Sequence, residues 1–243
     1  MEHLYLSPHL DDAVWSCGGA IARQTGQGEQ VMVLTIFAGD PPNGPLSPFA
    51  RCLQDRWGGQ GLAVAMRREE DRRACAILGA EAVHLGFLDC VYRVDERGSP
   101  LYRDERAIFG DVHAVDQPLP VRLATAIDQH VARASRVYCP LGMGGHVDHR
   151  LTRAAAESVA EELWLYPDMP YAIRGEGISA GAFIPKGSRR LIPVTGSQRE
   201  MWERAALQYA SQISSFWQSP AGLRKDIRQT LRDSGGILMI ESA

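Results

Sequence analysis

Residues 31–37, Val31-Met32-Val33-Leu34-Thr35-Ile36-Phe37, form an almost unbroken apolar run. Such a run suits a strand of a parallel sheet covered on both faces. A second apolar stretch, Leu4-Tyr5-Leu6, predicts a strand over 3–7, and the pattern between the two predicts a helix over 13–25 that stops at Gly26-Gln27-Gly28. Parallel strands need a crossover connection, so strand, helix and strand in this order predict a βαβ unit with a right-handed crossover. The Gly18-Gly19 pair early in the helix costs propensity, so it either allows close packing or makes the helix begin late.

The alternation continues. Helices are expected over 62–78, 119–134 and 149–163, and strands over 82–87 and 136–140. After Tyr166-Pro167-Asp168-Met169-Pro170 it weakens, leaving strands over 189–194 and 237–240 and helices over 197–211 and 221–232. Two polar stretches, 39–61 and 89–117, are too long to be mere connections and read as functional loops at strand ends. The second carries Arg93, Arg97, Arg103 and Arg106. The expected fold class is α/β: a three-layer α/β/α Rossmann-like sandwich with a mostly parallel central sheet. The 243 residues read as a single domain, with a core over about 1–170 and a C-terminal extension over 171–243 that completes it.

In such sheets ligands bind beyond the carboxyl ends of the strands. Ser7-Pro8-His9-Leu10-Asp11-Asp12 follows the first strand, and Gly145-His146-Val147-Asp148-His149 follows Val137-Tyr138-Cys139. Catalytic zinc takes three His or carboxylate ligands and keeps a position for water; His9, Asp12 and His149 would supply that set. Asp11 is then placed to take a proton from the activated water. His146, in its protonated form, would stabilise an oxyanion or supply a proton, and Asp148 would orient an imidazole. Asp12 taken alone also suits a helix N-cap, and His146 or His149 alone suits a surface or satisfied loop position. It is the conjunction at two strand ends that favours a site. His3, His84, His113 and His130 lack such an arrangement, and Asp111, His113 and Asp116 read as a solvated loop face.

With 26 basic against 29 acidic residues and a net charge of −3, the chain has no cationic run dense enough to track a phosphate backbone. Nucleic acid is not expected as a partner. No apolar window reaches the roughly 20 residues of a spanning helix, and the N-terminus does not read as a signal peptide, so the protein is expected in the cytoplasm. Five cysteines without a Cys-x-x-Cys pair argue against a disulfide framework and a thiolate zinc site. Cys17, nearest the first motif, reads as a small core residue.

At His9-Leu10-Asp11-Asp12 and His146-Val147-Asp148-His149 the sequence resembles the LmbE-like, or PIG-L, de-N-acetylases. The resemblance covers about the first 170 residues. It implies one zinc ion per chain, or another divalent metal, on His9, Asp12 and His149, with Asp11 as base and His146 at the oxyanion. Arg67, in an Arg-x-x-Glu helix ending at Leu-Gly, and Asp89 would contact substrate hydroxyls; an Arg67–Glu70 helix pair and a turn Asp are the plainer alternative. The chain departs from the family pattern at Leu10 and Ala13, where many members have Pro and Glu, and at Gly144, where some have a Tyr that assists the transition state. The implied function is zinc-dependent removal of an N-acetyl or other N-acyl group from an amino-sugar-containing small molecule. Alternatives are an amidase acting on a thiol conjugate or natural product, and a non-catalytic metabolite-binding protein on the same scaffold. Phe49, Trp57, Tyr92 and Tyr102 in the two loops would either stack on a sugar ring or anchor the loops.

Overall fold

Strand β1 (Glu2–Ser7) lies inside the sheet, paired in parallel with β2 (Gln30–Thr35) on one side and β4 (Arg136–Pro140) on the other. The computed structural model describes residues 2–58, 62–175 and 184–242. From β1 the chain passes through α1 (Asp12–Gly26), β2, α2 (Pro48–Arg56) and α3 (Ala63–Leu78) to β3 (Glu81–His84), which extends the sheet beyond β2. It then returns through α4 (Glu105–Ile108) and α5 (Leu119–Val131) to β4 on the far side of β1. Strand order thus reverses between β1 and β4, the place where an open α/β sheet forms a crevice.

The remaining elements are α6 (Val147–Glu157), β5 (Leu163–Tyr166), β6 (Arg189–Pro193), α7 (Gly196–Ala206), α8 (Ala210–Phe216), α9 (Pro220–Ser234) and β7 (Gly236–Glu241). The sheet of the described residues has seven strands in the order β3-β2-β1-β4-β5-β7-β6. Strands β1 to β5 run parallel, while β7 is antiparallel to both β5 and β6, so the sheet is mixed.

Successive side chains of each strand enter different cores, as the two-residue period requires. Tyr5, Val33, Tyr138 and Trp164 pack with residues of α1, α3, α7 and α9. Leu4, Leu6, Leu34 and Cys139 pack with residues of α5 and α6. Cys17 is fully buried, as its small-core reading has it, and all five cysteines are free.

Three expectations change. The helix expected to reach 163 ends at Glu157, and Leu163-Trp164-Leu165-Tyr166 is a strand paired with β4. Periodicity does not separate a short apolar run in a buried strand from the end of a buried helix; the free β4 edge settles it. The helix expected over 197–211 is two, α7 and α8, broken at Tyr209, whose hydroxyl donates to Asp71 Oδ1 at 2.6 Å. The stretch 39–61 contains α2, opened by Pro48 and by Ser47 Oγ accepting from Ala50 N at 3.0 Å; its residues 59–61 lie outside the described residues.

Gly18 and Gly19 are explained by packing. The helix runs through both, and a Cβ at Gly18 would collide with the Trp202 indole of α7, whose Nε1 donates to Val14 O at 2.8 Å. Trp202 is rigid and fully buried, so it has nowhere to retreat. Gly18→Ala is expected to destabilise the protein by about 1–3 kcal/mol through overpacking, despite its better helix propensity. A urea midpoint at or above that of the wild type would refute this account.

Candidate active site at the switch point of the sheet

Both motifs stand at the carboxyl ends of neighbouring strands, β1 and β4. Ser7 Oγ organises the first: it donates to His9 O at 2.6 Å and accepts from Ala13 N at 3.1 Å. This turn brings Asp12, the first residue of α1, back over His9, whose backbone N–H donates to Asp12 Oδ2 at 2.8 Å. Asp11 occupies the N-cap position and makes no side-chain capping bond. Neither carboxylate therefore serves as a cap.

Asp12 Oδ2 lies 3.3 Å from His9 Nδ1 and 3.3 Å from His149 Nε2. The opposite nitrogen of each ring has its own carboxylate: His9 Nε2 meets Asp148 Oδ2 at 3.0 Å, and His149 Nδ1 meets Asp168 Oδ1 at 2.6 Å. Asp148 is in turn held by Cys90 N, at 3.0 Å, and by Arg93, which also pairs with Asp116 at 3.0 Å. Asp168 Oδ2 accepts from Gly142 N and Met143 N at 2.8 and 2.9 Å. Outer carboxylates fix both imidazoles and leave one nitrogen of each facing Asp12.

The field follows from this layout. Burial disfavours charge on His9, but Asp89, Asp12 and Asp148 outweigh it and push its imidazole well above the ordinary value. Burial likewise opposes charge on His149, yet Asp12 and Asp168 push it up to about 10. Asp12 is held well below the carboxylate range because His149 and His9 overcome its desolvation. Asp11, by contrast, is pushed up to about 7 by burial and by the neighbouring Asp12 charge, against Arg67, whose Nη2 is 3.4 Å away. His146 differs from expectation: burial and then the charge on His9 hold it well below the ordinary value, so it is neutral. Its Nδ1 accepts from Asp148 N at 3.2 Å, which places the ring proton on Nε2.

Among the described residues, three sets bring ligand atoms within 4.8 Å of one another: His9, His146 and His149; Cys90, His146 and Asp148; and His9, Asp89 and Asp148. The last two use Asp148, whose oxygens already serve Arg93, Cys90 N and His9. The expected set exchanges His146 of the first for Asp12. That set is not one of the three, but two of its separations suit a divalent metal such as zinc, since ligands 2.0–2.1 Å from a tetrahedral ion stand about 3.4 Å apart. The separations from Asp12 Oδ2 to both imidazole nitrogens match that value, and the carboxylate field that holds protons on these rings would hold a divalent cation.

Arg67 does not pair with Glu70. Its guanidinium reaches Asp11 and lies over Trp57, 4.6 Å from the ring centre, while Glu70 accepts from Ser211 N and Oγ. Asp89 caps a turn through Val91 N at 3.1 Å and also comes within 3.8 Å of His9 Nε2. All eight expected residues except the fully buried Asp148 line one pocket of about 800 Å³, measured out to its open mouth. Phe49 and Trp57 from the first loop line it too; Tyr92 and Tyr102 are buried anchors instead. Asp116 is also buried, against Arg93 and Tyr102, so only Asp111 and His113 of that trio are solvated. Where Gly144 stands, a side chain would run into the Tyr171 ring, which fills this part of the wall from after β5.

Sequence reasoning missed Asp168, Arg93, and the wall residues Tyr171, Gln212, Ser215 and Phe216. Asp168 had a usable signal: it follows a strand end as His9 does, but the sequence pattern ends a helix at 163 and marks no strand over 164–166. Arg93 and Tyr171 sit in irregular segments, and Gln212, Ser215 and Phe216 sit in α8, a helix of seven residues too short to show a periodicity.

Residues 4–160 match the PIG-L family, described as GlcNAc-PI de-N-acetylase. The chain is 28% identical over 252 residues to a 2'-N-acetylparomamine deacetylase of Niallia circulans, covering 97% of this chain and 86% of that one. It is 31% identical over 195 residues to a 2'-N-acetylparomamine deacetylase of Streptomyces fradiae, covering 78% of this chain and 64% of that one. The crystal structure of teicoplanin deacetylase in its zinc-inhibited form is similar over 99% of this chain and 97% of that one, with a TM-score of 0.85 and 29% identity. With both motifs at adjacent strand ends and the match spanning residues 4–160, the chain belongs to the PIG-L, or LmbE-like, family of de-N-acetylases.

Proposed function

We propose that the protein is a zinc-dependent hydrolase that removes an N-acetyl group, or another small N-acyl group, from an amino-sugar-containing small molecule. The observation that carries this is the division of labour between adjacent carboxylates. Asp12 Oδ2 stands 3.3 Å from both ring nitrogens, as a shared ligand would, while Asp11 faces the same pocket and touches neither ring at such range. Relatives named as deacetylases of an N-acetylated aminoglycoside support the substrate class.

His9, Asp12 and His149 would hold the zinc, which when bound supplies Lewis acidity for a water and for the amide carbonyl. Asp11 takes a proton from the attacking water as its oxygen bonds to the carbonyl carbon. The Nε2–H of His146 donates to the carbonyl oxygen as negative charge develops there. The proton held by Asp11 passes to the leaving nitrogen, the C–N bond breaks, and acetate and a free amine depart. Asp148 orients His9, and Arg67 and Asp89 bind sugar hydroxyls. Asp168→Asn, which weakens the buttress behind His149, is expected to lower zinc affinity by about 10–100-fold with the fold intact, measured by competition with a chromogenic chelator.

The apolar part of the wall, including Phe49, Trp57, Phe109 and Phe216, favours a second reading in which the amide belongs to a thiol conjugate or larger natural product. The two core clusters support a three-layer arrangement, and the contacts of α7 with α1 support a single domain over 1–243. Five free cysteines favour the cytoplasm. Among the described residues no helix is long and apolar enough to cross a membrane. The deciding experiment is metal content of the purified protein together with acetate release from N-acetylglucosaminides and thiol conjugates. About one zinc per chain with acetate released from an amino sugar is expected. Zinc-loaded protein that hydrolyses only the thiol conjugates would replace this reading with the second.

A further inference from the structure

The part of the pocket wall made by α8 lies beyond residues 4–160, and it presents polar atoms that the chain itself does not satisfy. Ser215 Oγ and Arg67 Nε are both buried without a hydrogen-bond partner, and both residues line the pocket. Gln212, only 2% exposed, lines it as well. Its Nε2 donates to Ser211 Oγ at 2.9 Å, which leaves its carbonyl oxygen as the acceptor on offer. Native interiors rarely leave such atoms unpaired, and a bound ligand is one reason they do.

The placement of these groups is fixed from α3. Glu70 accepts from Ser211 N at 2.9 Å and from Ser211 Oγ at 2.6 Å, and Asp71 accepts from the Tyr209 hydroxyl. Both carboxylates are buried, on the helix that also carries Arg67. One helix therefore presents Arg67 and, through Glu70 and Ser211, aligns Gln212 and the start of α8.

We propose that Ser215 and Gln212, together with Arg67, form a subsite for a hydroxyl group of the sugar, with Glu70 as its positioning residue. The choice of ligand follows from the donor inventory. Arg67 can only donate, the Gln212 carbonyl can only accept, and Ser215 can do either. A hydroxyl satisfies all three roles. An ionised carboxylate or a fully ionised phosphate cannot donate, and either anion would share the pocket with Asp11, Asp12 and Asp89. The assignment takes its substrate class from the N-deacylase reading above and adds residues from outside the matched region.

The test is calorimetry of N-acetylglucosamine and its monodeoxy analogues with zinc-loaded Asp11→Asn protein, alone and combined with Ser215→Ala or Gln212→Leu. Each second substitution is expected to weaken the parent sugar by roughly threefold to tenfold. One deoxy analogue should lose a similar factor with Asp11→Asn protein and nothing further when Ser215→Ala is added. Glu70→Ala should shrink the preference for parent over that analogue, and Glu70→Gln, which can still accept from Ser211, should restore it. A purely structural role for Glu70 would lower the melting temperature without moving that ratio. The proposal is overturned if both α8 variants leave Kd within twofold, if the losses add for every analogue, or if no sugar of the panel binds. Acetate release by the wild type is measured in parallel. Hydroxyl-dependent binding without release would refute the deacylase reading and leave the subsite standing; release without that dependence would do the reverse.

Discussion

Asp11→Asn is expected to slow acetate release by about 10²–10⁴-fold while zinc remains stoichiometric. The amide keeps the size and most of the polarity of the carboxylate but cannot take a proton from water. Asp11 makes no capping bond, and its one close charged partner is Arg67 at 3.4 Å, so the substitution leaves the fold little to lose. Asp12, which faces both imidazoles, is untouched. Elemental analysis and acetate release on the same sample separate the two roles. Full turnover with zinc bound would refute Asp11 as the base, and loss of zinc would show that Asp11 belongs with the ligands.

His149→Ala is expected to abolish stoichiometric zinc and, with it, acetate release. Changes behind a ligand cost about 10–100-fold in metal affinity, and removing a ligand costs more. Two neighbours of His149 lose a contact: Asp12 Oδ2 at 3.3 Å, which keeps His9, and Asp168 Oδ1 at 2.6 Å. Asp168 retains the Gly142 and Met143 amides, so the loop after β4 stays anchored and the variant should fold. Circular dichroism checks that point, and elemental analysis reads the outcome. A variant that keeps one zinc per chain would remove His149 from the ligand set and shift attention to His9 with His146.

Much of the first half of this arrangement was legible before any coordinates. The run at 31–37 and the Leu4-Tyr5-Leu6 stretch could only be parallel strands joined by a helix, and they are β2 and β1. The failures have one physical origin. Leu163-Trp164-Leu165-Tyr166 looks the same to local periodicity at the end of a helix or in a strand, and only its pairing with β4 decides. With β5 unread, Asp168 lost the context that would have marked it. Arg67 and Glu70 had the spacing of a helix pair, yet each has a partner far away in sequence, Asp11 and Ser211, and those contacts outweigh a surface pairing.

The sequence by itself determined the parallel βαβ start and the appearance of two His/Asp motifs after apolar strands, because strand patterning and motif chemistry are written within a few residues of one another. The tertiary structure alone decided which nitrogen of each histidine faces Asp12, since Asp148 and Asp168 take up the other one. It also decided that His146 is neutral and that α8 closes the pocket. Those outcomes depend on burial and on partners that the sheet brings together from separate strands and loops, 19 residues apart for His149 and Asp168 and 139 for His9 and Asp148, and no local pattern encodes them.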